Sequence, residues 1–273
     1  MNCNGRLWVV DKPQVMGIIN TTPDSFYAGS RFTGTDSIIE VAGKMIAEGA
    51  TILDIGGQST RPGSVTVSEA EEKERVVPAI KALAKAFPQT LLSVDTFRSE
   101  IAKAAIDAGA CIVNDLSAGN REKEMIPTVA SLKVPYICMH MKGVHETMQK
   151  DAVYEDVCRE VVDFFIRKTE QCREAGINDV ILDPGFGFAK TAEHNFKLLK
   201  QLEVFRIFNR PLLVGLSRKS TIYKSLGITA AEALNGTTVV NTLALEKGAN
   251  ILRVHDVKEA MEAIQLWELY DKA

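Results

Sequence analysis

Amide, carboxylate and basic side chains recur in this sequence directly after short runs of apolar residues. They are Asn20, Asp54, Asp95, Asn114, Asp115, His140, Asp183, Ser217 to Ser220, Arg253 and His255. One polar residue after each run is expected wherever a strand ends near water. An amide or a carboxylate in most of these positions is not explained in that way, because a buried carboxylate or amide without a partner costs several kcal/mol. The pattern therefore predicts a ligand.

Four of these side chains are suited to a flat nitrogen heterocycle. At a common site, Asp54, Asp95, Asp183 and Asn114 would offer several hydrogen-bond acceptors and one amide group. A carboxylate can accept two parallel N–H hydrogen bonds from the edge of an amino-pyrimidinone. The set therefore favours a ring with several donors on its edge.

A second group of residues is suited to an anion. Arg253 and His255 are two apart, so on a strand their side chains point to the same face. Together with Arg61 they favour phosphate or pyrophosphate. Arg61 lies in the segment 58–63, which combines hydroxyl groups with turn residues. A structural salt bridge is an equally good interpretation of Arg253 and His255, and a plain connecting turn is the alternative for 58–63.

Two further loops carry side chains that could contact a ring. The segment 183–188 is rich in glycine and is expected to expose Phe186 and Phe188 for stacking on a substrate. The segment 217–220 leads from an apolar run into a helix, so Ser220 is expected near the helix N-terminus, which is a natural site for carboxylate or phosphate groups. Lys219 could donate to a ligand carbonyl while its alkyl stem packs against a ring.

Eight short apolar runs are the elements that must position these side chains. They are Gln14 to Asn20, Ile52 to Gly57, Leu91 to Asp95, Cys111 to Asp115, Val134 to His140, Val180 to Asp183, Leu212 to Leu216 and Ile251 to His255. Runs that are apolar throughout are typical of parallel strands covered on both faces. Amphipathic stretches lie between them, and a glycine closes a helix before a strand at Gly49, Gly109, Gly176 and Gly248.

Strands that alternate strictly with helices predict an α/β fold with a parallel sheet. Eight such units suit a closed (β/α)8 TIM barrel, and we expect residues 1–273 to form a single domain. The alternative is an open doubly-wound sheet, which usually has a glycine-rich turn after its first strand. Here the first strand runs into residues 20–26, which contain no glycine. A barrel would also bring the polar strand ends together at one mouth.

Composition argues against several classes of function. A net charge of −3, with basic and acidic residues mixed along the chain, argues against a protein that binds nucleic acid or a membrane surface. No apolar run approaches the ~18 residues that would span a bilayer, and residues 1–11 lack the apolar stretch of a signal peptide. The five cysteines are scattered and have no metal-binding spacing, so they are expected to be reduced thiols in a cytoplasmic protein.

Five segments resemble the motifs of the dihydropteroate synthases, in the same order. They are 16–26 (MGIINTTPDSF), 54–63 (DIGGQSTRPG), 183–188 (DPGFGF), 217–220 (SRKS) and 253–257 (RVHDV). The resemblance extends from about residue 14 to 268, and each motif falls at a predicted strand end. It implies a transferase of folate biosynthesis. Such an enzyme condenses p-aminobenzoate with 6-hydroxymethyl-7,8-dihydropterin pyrophosphate, with help from Mg²⁺, to give 7,8-dihydropteroate and pyrophosphate.

The same resemblance implies roles for individual residues. The pterin is expected to contact Asp95, Asn114, Met139, Asp183, Lys219 and Arg253, with Arg253 stacked on its face. Pyrophosphate is expected to bind Asn20, Thr60, Arg61, Arg253 and His255, and Mg²⁺ to bind Asn20. The aminobenzoate site is expected to consist of Phe26, Pro62, Phe188, Lys219 and Ser220. The expected catalytic residues are Asp95, Lys219 and Arg253.

The resemblance further implies a homodimer and competition by sulfonamides at the aminobenzoate site.

Two positions depart from the expected pattern. Position 58 is Gln58 where a glutamate is expected, which leaves its local hydrogen bonds undefined. Leu252 stands where a more polar residue would be unsurprising, and it is expected only to pack.

Two other functions remain open on the sequence. A pterin-binding barrel that transfers a methyl group from a folate to a corrinoid would share the carboxylate and amide groups. It would not need pyrophosphate contacts, so Arg61, the segment 217–220 and Arg253 count against it. The other alternative is a barrel that binds pterins without catalysis, and the intact motifs at the strand ends count against that one. An assay for pyrophosphate release from p-aminobenzoate and the pterin pyrophosphate distinguishes the three functions, because only the synthase forms product.

Several residues are expected to be structural. His140 and His145 are five apart and lack the further ligands of a metal site, so His140 is expected to pack at a strand end. The segment from Glu69 to Arg75 is expected to be the solvated face of a helix. Cys111 and Cys138 are expected to be small core residues.

Overall fold

Strands alternate with helices along the chain in the computed structural model, which describes residues 1–21, 34–58, 67–143 and 152–273. The barrel strands are β1 (Gln14–Asn20), β2 (Ile52–Gly56), β3 (Leu91–Asp95), β4 (Ile112–Asp115), β5 (Tyr136–Met139), β6 (Val180–Asp183), β7 (Leu213–Val214) and β8 (Ile251–Val254). The helices are α1 (Gly34–Ala47), α2 (Glu69–Ala86), α3 (Ser99–Asp107), α4 (Met125–Leu132), α5 (Val157–Ala175), α6 (Ala192–Lys200), α7 (Ser220–Leu226), α8 (Leu234–Glu246) and α9 (Val257–Asp271). A 3-10 helix, Leu202–Phe208, follows α6. Every predicted strand is present.

The strands form one parallel sheet that closes on itself. Neighbouring strands pair in the order β6–β5–β4–β3–β2–β1–β8–β7. A parallel bridge between Leu182 and Leu212 joins β6 to the residue before β7, and Leu182 N–H donates to the Pro211 carbonyl at 2.9 Å. The predicted (β/α)8 barrel is confirmed, and the open sheet is excluded.

The interior of the barrel changes from apolar to polar along the strands. One buried cluster at the N-terminal end includes Met16, Ile52, Ile112, Ile181 and Ile251. Side chains two apart on a strand point to the same face, so each of these isoleucines is followed on the inner face by a polar residue. Those polar residues are Asp54, Asn114, Asp183 and Arg253. The candidate site therefore lies directly above an apolar floor.

The outer face of the barrel packs against the helices in the main core cluster. Leu53, Val94 and Leu252 are fully buried there, so Leu252 does pack as expected. Four junctions from a helix to a strand contain Gly49, Gly109, Gly176 and Gly248, whose φ angles are 108°, 117°, 91° and 96°. Glycine reaches this left-handed region at little cost. These predicted helix ends are confirmed.

A short antiparallel hairpin that was not predicted covers the N-terminal end of the barrel. Its strands are Asn2–Cys3 and Arg6–Leu7. Cys3 and Trp8 are buried in the same cluster as the barrel floor. Trp8 Nε1 donates to Gln14 Oε1 at 2.9 Å and ties the hairpin to β1. The opposite end, where the strands finish, is therefore the mouth at which a ligand can bind.

Candidate active site

Asp54 connects Arg253 with Asn114 at the barrel mouth. Its Oδ2 atom accepts hydrogen bonds from Arg253 Nε at 2.7 Å and from Asn114 Nδ2 at 2.9 Å. Asp54 is fully buried on β2, whereas Asn114 comes from β4 and Arg253 from β8. Because the amide nitrogen of Asn114 donates to Asp54, its Oδ1 atom is free to act as an acceptor elsewhere.

Asp95 is the second carboxylate on Arg253. Its Oδ2 atom accepts from Arg253 Nη2 at 2.7 Å, so the guanidinium bridges two carboxylates. Burial raises the pKa of Asp95 to about 7, although Arg253 lowers that pKa. Burial alone would lower the pKa of Arg253, but the carboxylates of Asp54 and Asp95 raise it above its ordinary value. Arg253 is therefore a permanent cation at the mouth.

Three polar atoms in this layer have no hydrogen-bond partner among the described residues. They are Asp54 Oδ1, Asn114 Oδ1 and Ser93 Oγ. Ser93 is the cross-strand neighbour of Asp54, and all three residues are at most 1% exposed. Buried polar atoms in native proteins are almost always paired, so these atoms point to a bound group. Two of them are acceptors, as a ring with donors on its edge requires.

Asp183 reaches the same mouth from β6. Its Oδ1 atom accepts from the Gly185 N–H at 2.8 Å. Burial raises the pKa of Asp183, and the ammonium of Lys219 opposes this shift. Gly185 has a φ of 69°, and a Cβ at this position would lie 2.0 Å from the carbonyl oxygen of His140. Only glycine fits this turn, which holds the carboxylate of Asp183 in place.

Lys219 lies between Asp183 and the ring of Phe188. Its Nζ atom donates to the carbonyl oxygen of Phe186 and lies 4.4 Å from the centre of the Phe188 ring. Burial lowers the pKa of Lys219 to about 8, and the carboxylate of Asp183 opposes this shift. The ammonium therefore gives up its proton more readily than that of an exposed lysine.

The two aromatic rings of segment 183–188 differ in their surroundings. Phe186 is fully buried in the main core, so the prediction that its ring is exposed for stacking is wrong. The glycines on either side let the chain turn this ring inward, where its apolar area is removed from water. Phe188 is 7% exposed and packs with Met139 and Met141. Its ring lies beneath Lys219 and remains available as one wall of a pocket.

Arg253 and His255 take different partners. Arg253 forms the structural salt bridges that were the alternative to anion binding, with Asp54 and Asp95. His255 is exposed, and its Nδ1 atom lies 3.0 Å from Ser217 Oγ. The same hydroxyl oxygen accepts from the His255 N–H at 3.2 Å. A salt-bridged Arg253 still carries a fixed positive charge at the mouth.

The remaining predicted site residues lie at strand or helix ends, or outside the described residues. Asn20 ends β1 beside Gly56 and is half-buried. Met139 ends β5 beside Asp183 and is buried. Ser220 is the first residue of α7, as predicted. Phe26, Thr60, Arg61 and Pro62 lie outside the described residues.

Glu72 corrects the expectation of a solvated face from Glu69 to Arg75. It is 1% exposed, accepts from Thr96 Oγ1 at 2.6 Å and forms an ion pair with Arg98. The sequence held a signal for its burial, since Glu72 precedes the buried Val76 by one helical turn. The ion pair connects α2 to the chain just after Asp95.

His140 packs at the end of β5, as expected. It is 5% exposed, and its ring meets the Phe164 ring edge to face at 4.9 Å. Within the described ranges, no three His, Cys, Asp or Glu side chains lie together as a metal site.

The helices that the structure describes include none long and apolar enough to cross a membrane.

Known proteins resemble this chain along most of its length. The family described as "Pterin binding enzyme" matches residues 16–255. The dihydropteroate synthase of Escherichia coli (strain K12) is 43% identical over 258 residues, which cover 94% of this chain and 91% of that protein. The dihydropteroate synthase of Synechocystis sp. is 47% identical over 253 residues, which cover 92% and 87%. This chain belongs to the dihydropteroate synthase family.

Solved structures of dihydropteroate synthases have the same fold. The Yersinia pestis enzyme, in a complex with a sulfonamide drug, has a TM-score of 0.94 at 40% identity and covers 100% of this chain and 99% of its own. The Xanthomonas albilineans enzyme with 4-aminobenzoic acid has a TM-score of 0.93 at 38% identity and covers 100% and 98%. The barrel described above is thus the fold of dihydropteroate synthases.

Proposed function

We propose that this chain joins p-aminobenzoate to 6-hydroxymethyl-7,8-dihydropterin pyrophosphate, giving 7,8-dihydropteroate and pyrophosphate. The observation that carries the proposal is the convergence of three acceptors with two cations at one mouth. These residues are Asp95, Asn114, Asp183, Lys219 and Arg253. A Xanthomonas albilineans dihydropteroate synthase in complex with 7,8-dihydropteroate, with a TM-score of 0.90 at 36% identity, supports the same product here.

The pterin ring is matched by the acceptors in the barrel. Asn114 Oδ1 and the carboxylates of Asp95 and Asp183 would accept hydrogen bonds from the N–H groups on its edge. Arg253 would lie against the face of the ring, because a planar guanidinium held by two carboxylates stacks readily on a flat heterocycle. Met139 would supply an apolar wall.

The chemistry needs charge stabilisation more than a nucleophilic side chain. As the C–O bond to pyrophosphate breaks, positive charge develops on the methylene carbon of the pterin, and ionised Asp95 would stabilise it. Arg253, with Arg61 and His255, would stabilise the negative charge on the leaving pyrophosphate. The lone pair of the neutral aromatic amine forms the new C–N bond, and the nitrogen then releases a proton. Orientation of the two substrates supplies the rest of the catalysis.

Lys219 would also contribute to the aminobenzoate site. Its alkyl stem and the Phe188 ring form an apolar wall, since the ammonium lies 4.4 Å from the ring centre. Ser220 begins α7 and would bind the carboxylate of p-aminobenzoate. We assign Phe26 and Pro62 to the same site. Sulfonamides would compete there as mimics of p-aminobenzoate.

Pyrophosphate and Mg²⁺ would bind near the end of β1. We assign pyrophosphate to Asn20, Arg253 and His255, with Thr60 and Arg61. The amide oxygen of Asn20 is a hard donor that suits Mg²⁺. The described part of the chain offers no cluster of three metal-ligating side chains, so pyrophosphate and water would complete the coordination, as is common for this ion. When bound, Mg²⁺ neutralises charge on the leaving group.

The test is pyrophosphate release by the purified protein. Both substrates and Mg²⁺ are supplied together, and each substrate is then omitted in turn. We expect pyrophosphate and 7,8-dihydropteroate in equal amounts only when both substrates are present. A methyl transferase or a non-catalytic pterin carrier would form neither product, so their absence would overturn the proposal.

We propose a homodimer formed through α8 and α9. This face exposes large apolar side chains, including Leu243 at 49%, Leu266 at 69% and Tyr270 at 71%. They line a groove of about 620 Å³ together with Trp267. Exposed apolar patches mark protein interfaces. Sedimentation analysis should give a dimer for the wild type and a monomer for Leu266→Glu, and a monomeric wild type would contradict the assignment.

We also propose a cytoplasmic location. All five cysteines are buried and free. Thiols stay reduced in the cytoplasm, whereas secreted proteins usually use their cysteines in disulfides. Cell fractionation with an antibody to the protein tests this, and recovery outside the cytoplasm would contradict it.

A further inference from the structure

Lys190 is a buried lysine for which the proposed reaction has no use. It is 3% exposed and connects the loop after β6 to the start of α6. Burial lowers the pKa of Lys190 to about 7, and the carboxylate of Asp183 opposes this shift. Lysine is rarely buried unless its ammonium is paired, so its partners indicate what it does.

Four acceptor atoms surround Lys190 Nζ. They are His140 Nδ1 at 2.9 Å, Gly185 O at 3.0 Å, Phe188 O at 3.1 Å and His140 O at 3.4 Å. Two belong to the loop after β6 and two to the residue after β5. No carboxylate of the described chain accepts from this ammonium, and its hydrogen bonds go to two carbonyls of the loop, to the carbonyl of His140 and to the imidazole of His140. Lys190 therefore ties the loop to the neighbouring strand.

The other side of this loop carries groups of the candidate active site. The N–H of Gly185 donates to Asp183, and the carbonyl of Phe186 accepts from Lys219. The carbonyls of Gly185 and Phe188 thus point to Lys190 on one side, while the carbonyl between them points to Lys219 on the other. A loop held between two ammonium groups cannot shift at one without shifting at the other.

We propose that Lys190 is a positioning residue for the transferase reaction. Its ammonium fixes residues 185–188, so that Asp183 and the Phe188 ring meet the two substrates with Lys219 between them. The inference rests on the proposed function, because it assigns the loop to substrate binding. Asn195 supports the loop at one other point, where its Oδ1 atom accepts from the Gly187 N–H at 2.8 Å. Apart from that contact, Lys190 holds the Phe188 carbonyl and shares the Gly185 carbonyl with the Phe188 N–H, which donates to it at 3.1 Å.

His140 accepts one of the hydrogen bonds from Lys190 through its imidazole ring. Its Nδ1 atom accepts from the ammonium, so the ring carries its proton on Nε2. Burial lowers the pKa of His140 well below its ordinary value, and the neighbouring charge of Lys190 lowers it further. A neutral imidazole is the form that can accept this hydrogen bond. The charges of Asp183, which raises the pKa of Lys190, and of Lys219, which lowers it, both belong to the candidate active site.

The experiment compares Lys190→Met with Lys197→Met. Methionine keeps most of the apolar stem and removes the ammonium. Lys197 lies on α6, is 40% exposed and pairs with Asp156 at 2.7 Å, so its substitution likewise removes an ammonium and its partners but leaves the loop untouched. Steady-state constants for both substrates and deuterium exchange of the peptide covering 183–190 are measured for each folded variant, well below its unfolding temperature.

We expect Lys190→Met to raise the KM for p-aminobenzoate at least tenfold, to lower kcat less, and to speed exchange in the loop. Lys197→Met should match the wild type in all three. A purely structural lysine would lower stability and leave KM unchanged. Either an unchanged KM or unchanged loop exchange in Lys190→Met overturns the inference. If Lys190→Met does not fold, Lys190→Gln, which is shorter and uncharged but keeps two N–H donors, should show the same two changes to a smaller extent, and wild-type values for both KM and loop exchange would overturn the inference. A wild type that releases no pyrophosphate would instead overturn the proposed function.

Discussion

Arg253 Nε and Asp54 Oδ2 lie 2.7 Å apart at the barrel mouth, although 199 residues separate them in the sequence. The same oxygen accepts from Asn114. One buried carboxylate thereby fixes both the guanidinium that would stack on the pterin and the amide that would bind its edge. Asp54 is thus a positioning residue, and its substitution should displace the side chains of both Arg253 and Asn114.

Asp54→Asn should reduce both stability and pterin affinity. Loss of one partner from a buried ion pair costs about 3 kcal/mol or more, measured as the free energy of unfolding in urea. A hydrogen bond to a charged group contributes about 1.5–3 kcal/mol, so the KM for the pterin substrate should rise roughly tenfold or more.

Asp115→Asn is the matched control for that variant. Asp115 is equally buried, but its carboxylate accepts from Ser117, Gly119 and Tyr136. Its loss should lower stability and leave the KM for the pterin substrate near the wild-type value. Equal effects of the two substitutions on KM would contradict the role given to Asp54.

The plot of kcat/KM against pH should be bell-shaped, with an acidic and a basic limb. Burial raises the pKa of Asp95 to about 7 and lowers the pKa of Lys219 to about 8. The active form has an ionised Asp95 and protonated Lys190 and Lys219, and burial lowers the pKa of Lys190 to about 7. Therefore kcat/KM should rise with pH as Asp95 ionises and fall again as the two lysines lose their protons between about pH 7 and pH 8. Asp95→Asn should lose most activity while still folding, and its remaining activity should lack the acidic limb. A wild-type profile that is flat across this range would refute the assignment of these groups.

Two substitutions of Lys219 should separate its charge from its stem. Lys219→Ala removes both and should weaken binding of the pterin and of p-aminobenzoate. Lys219→Met keeps most of the stem against the Phe188 ring, so it should weaken pterin binding and largely preserve binding of p-aminobenzoate. Calorimetric titration measures each affinity. Unchanged affinities in Lys219→Ala would remove the shared position given to this side chain.

Neighbouring glutamates on α2 should differ sharply in their contribution to stability. Glu72→Ala leaves Arg98 half of a buried ion pair and should cost about 3 kcal/mol of unfolding free energy. Glu71→Ala removes an exposed pair with Arg75, 47% exposed at the carboxylate, and should cost less than about 1 kcal/mol. Urea unfolding of the two variants tests the comparison, and similar losses would argue against burial of Glu72.

The barrel fold, and which residues lie at its mouth, could be predicted from the sequence. Buried parallel strands are apolar throughout, so their runs stand out, and the bounds of β1, β3 and β6 are those predicted. The polar residues in or directly after the C-terminal half of each run mark the mouth, because all barrel strands point the same way. Asp54 and Arg253 could therefore be placed in one layer without knowledge of which side chains pair there.

The hydrogen-bond partners and the burial of individual side chains inside that layer could not be predicted in the same way. Hydrogen bonds between Asp54, Asn114 and Arg253 depend on the barrel register, which no local pattern encodes. Phe186 and Phe188 each follow a glycine, and only the turn geometry separates a core ring from a pocket wall. Lys190 follows a glycine-rich loop with no local pattern that indicates a buried ammonium, and its burial results from the fold of that loop around its ammonium.

Binding of 6-hydroxymethyl-7,8-dihydropterin pyrophosphate to Asn114→Ala and Asp183→Asn, measured by calorimetry, tests the central claim most directly. These residues lie on different strands, and their side chains hydrogen-bond to different partners in the described structure, Asn114 to Asp54 and Asp183 to Gly185, so a ligand that spans the mouth is expected to link them. We predict that each substitution weakens binding by about a hundredfold in a folded protein, close to 2.7 kcal/mol. Wild-type affinity in either variant would contradict a pterin site at this mouth.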